Sequence, residues 1–338
     1  MPATGTNAGV LPVRPANGAA TGSAPTVFAI SKMYFGDTDR AGHTSEAAWK
    51  SYGLNIDGKV TGENSTNTCR LVAGASCGTQ LDGDDGIDNS FGSNVMPIIQ
   101  ALNSTYSSFA NTAIQQGGGT MLFQLDGLGS APSYARLPSA LYRAVPTSQP
   151  RWDGTDVRDV DAVSLVGGDI SRPIILLLDG YMADRVWVGG LSTGPAYLDL
   201  QVTAGPNGGG VPLPPIPLQH IQSAMQVVSG TAANGGTLSG VVRVEDMITW
   251  VELWTGTLTT GLCTGTAVMS VVSAFEQASD IMADGTNEPG KPCDGISVGL
   301  GFDAVTVQLG KAVTAPPVTN PWCEDAGTDA PSDGPDGG

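Results

Sequence analysis

Positive charge is scarce in this chain: 15 Lys and Arg stand against 32 Asp and Glu, a formal balance of −17. Phosphate recognition depends on clustered Lys and Arg, and no such cluster occurs, so nucleic acid is excluded as a partner and an anionic membrane surface is disfavoured. Charge of either sign is thin, at 14% of residues against about a quarter of an average soluble domain. No apolar run reaches the length of about 18 residues that a membrane-spanning helix needs. Residues 1–25 hold neither a charged nor an apolar signal segment. Histidine is nearly absent, with His43 in a Gly-His-Thr turn and His220 after a Pro-rich stretch. A Ser–His–Asp triad would have to use one of these two, and no Gly-x-Ser-x-Gly elbow is present. The triple glycines 117–119 and 208–210 lack the Lys of a phosphate loop.

Zinc spacing is also missing. None of the 5 cysteines, Cys69, Cys77, Cys263, Cys293 and Cys323, lies in a Cys-x-x-Cys pair. Disulfides in an oxidising compartment are the better reading. Cys69–Cys77 would close a short loop, Cys263–Cys293 would tie a helix to the following strand, and Cys323 would be left over; other pairings stay open.

What the chain does have is glycine (47) and proline (23), the signature of a loop-rich β protein. Residues 1–25, rich in Ala, Gly, Thr and Pro, read as a disordered spacer, and residues 324–338, with acids and no bases, as a disordered acidic tail. Between them, 26–323 reads as a single globular β-rich domain. Strands are expected at Val27–Phe35, Met121–Leu125, Ile174–Leu178, Arg185–Val188, Tyr197–Val202, about 221–229 and about 238–245, the last two joined by a tight turn at Asn234-Gly235. A final strand pair is expected at Ile296–Phe302 and Val305–Leu309. A short helix is expected at Glu46–Tyr52, a long one from Pro97 to Gln115, and a helical region from Asp246 to Ala283, interrupted near 256–265. The fold class expected is mainly β with added helices: an antiparallel β-sandwich with peripheral α-helices.

The stretch richest in chemistry is Asp82-Gly83-Asp84-Asp85-Gly86-Ile87-Asp88-Asn89. Hard oxygen donors spaced by glycines suit Ca²⁺, although the full twelve-residue EF-hand loop is not present. The metal ligands expected are Asp82, Asp84, Asp88 and Asn89, with Asp57 from the Asn55-Ile56-Asp57-Gly58 turn. Asp37 and Asp39 repeat the Asp-x-Asp spacing more weakly. Asp153 and Asp156 read as an Asx-type turn behind Trp152. Asp126 and Asp179, each ending an apolar strand, could face one another as glycosidase carboxylates do. Trp250 and Trp254, four apart, lie on one helix face, for core packing or as an aromatic platform.

Five segments, FGDTDRAG (35–42), AWKSYGLNIDG (48–58), DGDDGIDNSFG (82–92), ASDIMADGT (278–286) and CDGISVGLGFDA (293–304), resemble a group of uncharacterised secreted proteins and lipoproteins of myxobacteria and relatives. The resemblance implies export, often with a lipid-bearing Cys ahead of a low-complexity spacer; residues 1–25 here contain no Cys. The function expected is an exported structural or binding protein of the bacterial cell surface or exterior, stabilised by Ca²⁺, whose partner is an unknown surface ligand or protein. The alternative is a secreted hydrolase that attacks polysaccharide through carboxylates.

Overall fold

The computed structural model of the chain describes residues 10–20, 22, 24–190, 196–198, 216–258 and 266–315. Eleven strands form one connected sheet. They are β1 (Thr26–Tyr34), β2 (Thr120–Leu125), β3 (Ser139–Ala144), β4 (Val157–Asp161), β5 (Ile175–Leu177), β6 (Tyr181–Ala183), β7 (Val186–Gly189), β8 (Ala196–Leu198), β9 (Ile216–Ser229), β10 (Ala232–Arg243) and β11 (Gly295–Val313). Four helices accompany them: α1 (Met96–Leu102), α2 (Tyr106–Gln115), α3 (Val244–Leu258) and α4 (Thr266–Glu276). The protein is mainly β, as expected. The expected antiparallel sandwich is not what the pairings describe, because β4 runs parallel to β11 and the sheet is therefore mixed.

The long strand β11 organises the sheet. Along one edge it pairs with β1, Val27 opposite Val307 and Tyr34 opposite Gly301. Along the other it pairs first with β10, from Gly295 to Val305, and then with β4, from Gln308 to Val313. Since β1 also pairs with β2, β2 with β3 and β3 with β4, the pairings β1–β2–β3–β4–β11 close on themselves. Strands β10, β9, β7 and β6 continue the sheet away from that ring.

Alternation along each strand then produces two apolar clusters. In β1, Phe28 and Ile30 belong to the large core, while Val27 and Ala29 belong to a smaller one with Leu122, Tyr142, Val160 and Val307. The large core is covered by the helices: Met96 and Ile99 of α1, Tyr106, Ala110 and Ile114 of α2, and Met247, Trp250, Val251 and Trp254 of α3 are all buried in it. Trp250 and Trp254 stack at 5.6 Å between ring centroids, so they are core packing and not an open aromatic platform.

Three local expectations change. The helix expected from Pro97 to Gln115 breaks at Asn103, whose Oδ1 accepts from the Thr105 N–H and Oγ1 and so competes with the helical bonds. The turn between β9 and β10 falls at Gly230-Thr231, and Asn234-Gly235 lies inside β10 as a bulge where the register to β9 and β11 shifts. A side chain at Gly236 would run into the Phe302 ring, which is why a second glycine follows. The expected hairpin at 296–309 is one continuous strand, because Asp303 is held in line, its carboxylate accepting from the Tyr34 hydroxyl at 2.7 Å and the Gly235 N–H at 3.2 Å.

The cysteine pairing also differs. Cys69 is bonded to Cys293, with Cα atoms 5.2 Å apart, and Cys77 is an exposed free thiol. Both expected bridges, Cys69–Cys77 and Cys263–Cys293, are therefore overturned; Cys263 and Cys323 lie outside the described residues. The bridge is seated by backbone pairing, since Arg70 N donates to Lys291 O at 2.7 Å and Cys293 N to Arg70 O at 3.0 Å. Residues 10–20, read from composition as spacer, lie against the chain between 132 and 185. The disulfide joins positions 224 apart in sequence, so its removal frees a long loop. By the chain-entropy estimate its reduction costs roughly 5 kcal/mol, and urea midpoints with and without reductant should separate accordingly. Equal midpoints would show that the bridge does not constrain the unfolded chain.

Candidate functional site

The acidic segment folds back on the 48–61 loop and packs against β11. Its centre is Asn89, which is 1% exposed. Asn89 Oδ1 accepts from the backbone N–H groups of Gly92 and Gly299, both at 2.9 Å, and Nδ2 donates to the carbonyls of Trp49 and Tyr52, both at 3.0 Å. A side-chain amide has two donors and two acceptor lone pairs, and all four are used. Any side chain at Gly299 would collide with the Tyr52 carbonyl and the Asn89 amide, so glycine is needed there for close approach. The Asn89 carbonyl accepts from Ser93 N–H at 3.2 Å and Ser93 Oγ at 3.1 Å, which starts a π-turn over Phe91–Val95 that runs into α1.

Around this hub the carboxylates separate into two kinds. Asp84 and Asp85 are exposed, Asp85 in the left-handed region at φ 56°. Asp88 is buried; its Oδ2 accepts from Ile56 N–H at 2.6 Å and Asp57 N–H at 3.3 Å. Asp82 Oδ2 accepts from Thr61 N–H at 2.5 Å. Asp57 Oδ1 accepts from Lys59 N–H at 2.7 Å, and its buried Oδ2 has no hydrogen-bond partner. Asp280, which the sequence reading passed over, is buried beside them, holding Ser297 N–H at 2.8 Å and Ser297 Oγ at 2.5 Å. In the sequence Asp280 falls within the helical region expected to run to Ala283, a setting that does not single it out.

The electrostatics follow from burial without a counter-charge. Loss of water pushes the Asp88 carboxyl up to about 9, with the charges of Asp57, Asp280 and Asp82 adding to the effect. Burial also raises Asp82 to about 7, partly offset by the Thr61 N–H. Asp280 rises to about 7 for the same reason, against the pull of the Ser297 donors. Of the two lysines in the loop, Lys59 spends its ammonium on the carbonyls of Asn67 and Asn287, and Lys50 lies over the Trp49 ring at 5.7 Å. Thus Asp57, Asp82 and Asp88 are brought into one neighbourhood, whereas Asp84 is left in solvent and Asn89 is committed to the backbone. Among the described residues, no three His, Cys, Asp or Glu side chains are gathered tightly enough to hold a metal ion by themselves.

The other sequence candidates are dispersed. Asp37 accepts from Gln100, and Asp39 from the exposed His43 ring at 3.1 Å. Asp153 accepts from the Thr155 N–H two residues on, the Asx geometry expected, whereas Asp156 reaches back to the N–H groups of Arg151 and Trp152. Asp126 and Asp179 follow β2 and β5, which flank β3 in register. That places the strand ends Leu125 and Leu177 two strand spacings, about 10 Å, apart; Asp179 lies beyond its strand in a turn, and both aspartates are exposed. Among the described residues neither His43 nor His220 is hydrogen-bonded to a serine. No helix among them is long and apolar enough to cross a membrane. No family model, curated protein or solved structure matches the chain.

Two outcomes are expected here. Asn89→Ala leaves three backbone groups unpaired, the N–H of Gly92 and Gly299 and the carbonyl of Tyr52, while the Trp49 carbonyl keeps the Tyr52 N–H; at about 1–3 kcal/mol for each the loss exceeds about 3 kcal/mol, and a change below 1 kcal/mol in denaturant unfolding would remove Asn89 from its central place. The second concerns pH. The folded values of Asp82, Asp88 and Asp280 lie above the unfolded carboxylate value of about 3.9, so the folded chain keeps protons that the unfolded chain has released. Their contribution to stability is full below about pH 4 and is lost as pH rises through about 7 to about 9. In chelator, the melting temperature should fall between pH 5 and 9, and Asp88→Asn should flatten that fall and stabilise the protein at pH 8 by more than about 1 kcal/mol.

Proposed function

We propose that the protein is an exported, non-enzymatic structural or binding protein of the bacterial cell surface or exterior. The observation that carries this reading is the buried Cys69–Cys293 bridge, a type of bond that persists in oxidising compartments and is rare in the cytosol. The exposure of both Asp126 and Asp179 to solvent supports a binding role over hydrolysis. The resemblance to secreted proteins and lipoproteins agrees with export.

Ca²⁺ is the cofactor this reading requires. Asp57, Asp82 and Asp88 supply hard oxygens next to the loop carbonyls of 54–61, and Ca²⁺ accepts carbonyls and water among its six to eight ligands. A divalent cation would offset the charge that burial makes costly in these carboxylates. Saturating Ca²⁺ at about a hundred times Kd adds roughly 2.7 kcal/mol. The test is thermal unfolding at pH 8 with Ca²⁺ and with chelator, for the parent, Asp57→Asn and Asp88→Asn. A rise in the parent that is lost in both variants is expected, and identical melting temperatures throughout would reject the cation. Export is tested separately by fractionating the producing cells and mapping Cys69 and Cys293 without reductant; a cytosolic chain with both thiols free would reject it.

A further inference from the structure

The face formed by β6, β7 and β9 carries its own apolar cluster, Tyr181, Ala183, Val186, Val188 and Ala224, separate from the main core. What lies on it is the chain's own N-terminal segment, Val10-Leu11-Pro12-Val13-Arg14-Pro15, with Leu11 packed against the cluster. Prolines at 12 and 15 restrict the backbone and remove two N–H donors, so the segment offers carbonyls and side chains to a partner surface and no sheet ladder. The Tyr181 hydroxyl donates to the Pro12 carbonyl at 2.6 Å. The Arg14 guanidinium lies over the Tyr181 ring at 4.9 Å and donates through Nη2 to the Asp179 carbonyl at 2.5 Å. Further along, Ala135 N–H donates to the Gly18 carbonyl at 2.9 Å.

An aromatic ring beneath the chain, a hydroxyl on the carbonyl of a proline and a docked arginine are how proline-rich extended segments are recognised. The hold on this one is slight. Val10 is 59% and Val13 89% exposed, and a segment with so few buried contacts opens at low cost. A second copy of the chain is disfavoured as the occupant, because each copy brings a balance of −17 and like charges repel. A cationic segment is attracted by that same charge.

We propose that the Tyr181 face is a docking site for extended segments of the form apolar-Pro-x-Arg-Pro carried by a partner protein, and that residues 10–20 occupy it in competition with that partner. This interaction surface depends neither on the compartment nor on a bound cation. The probe is a fluorescein-labelled peptide of residues 10–20, titrated onto the full-length protein while anisotropy is read. In the parent the resident segment competes. Leu11→Asp with Arg14→Glu in the protein releases it, and affinity for the peptide should rise about tenfold if the segment is docked about nine-tenths of the time. Adding Tyr181→Ala to that variant should abolish binding, Tyr181→Phe should weaken it by loss of the hydroxyl alone, and a peptide carrying Arg14→Glu should not bind. Three results would overturn the proposal: no gain in the released variant, equal binding of the Arg14→Glu peptide, or dimerisation of the parent by segment exchange in light scattering.

Discussion

One side-chain amide ties the loops of this protein to its sheet. Asn89 bonds the backbone at Trp49, Tyr52, Gly92 and Gly299, so the 48–54 loop, the start of the first helical stretch and β11 share a single fixed point. In a low-dielectric interior each of those backbone groups would be costly to leave unpaired. Much else follows from that anchor. Ser90, next in sequence, bonds to β11 and the chain before it, its N–H to Ser297 Oγ at 2.8 Å and its Oγ to the Ala278 carbonyl at 2.5 Å, while its Oγ accepts from Asn94 Nδ2 at 2.9 Å. Asp280 then grips Ser297 from the other side.

The same compact arrangement brings carboxylates together without bases. A chain with 32 acids and 15 bases has few cations to place in an interior, and of the two lysines in the 48–61 loop Lys59 is drawn to carbonyls and Lys50 lies over the Trp49 ring. Backbone N–H groups do part of the neutralising, at Asp88, Asp82 and Asp280, but burial still outweighs them. The Cys69–Cys293 bridge closes this neighbourhood, joining the loop before the acidic segment to the start of β11. Covalent restraint and hydrogen-bonded backbone thus hold a region that charge repulsion acts to open.

Much of the fold was readable where local periodicity and core demands agree. The strands β1, β2, β5 and β7 and the helical region around Trp250 follow from apolar alternation or from four-residue spacing, and they occur close to where they are expected. Failures arise where a local signal meets a non-local contact. Asn234-Gly235 has the chemistry of a hairpin turn, but the pairing of β10 with long neighbours on both edges converts it to a bulge. The 296–309 region looks like a hairpin until Tyr34 and Gly235 reach Asp303 from other strands. Cysteine partners were unreadable for the same reason: the bonded pair is distant in sequence and adjacent only through the pairing of Arg70 with Lys291 and Cys293.

By itself the sequence determined the β-rich character, the scarcity of positive charge and the importance of the 82–89 segment, because composition and alternation act residue by residue. It also placed acids and glycines where tight loops must form. Only the tertiary structure decided which of those acids are buried. Asp88 and Asp82 lose water when the 48–61 loop closes over them, Asp280 joins them from nearly two hundred residues away, and Asp84 stays in solvent. Asn89, legible as one more oxygen donor, became a backbone clamp, since its four hydrogen-bond partners come from three separate parts of the chain. Desolvation and long-range hydrogen bonding depend on what the rest of the chain brings alongside, and no local pattern encodes that.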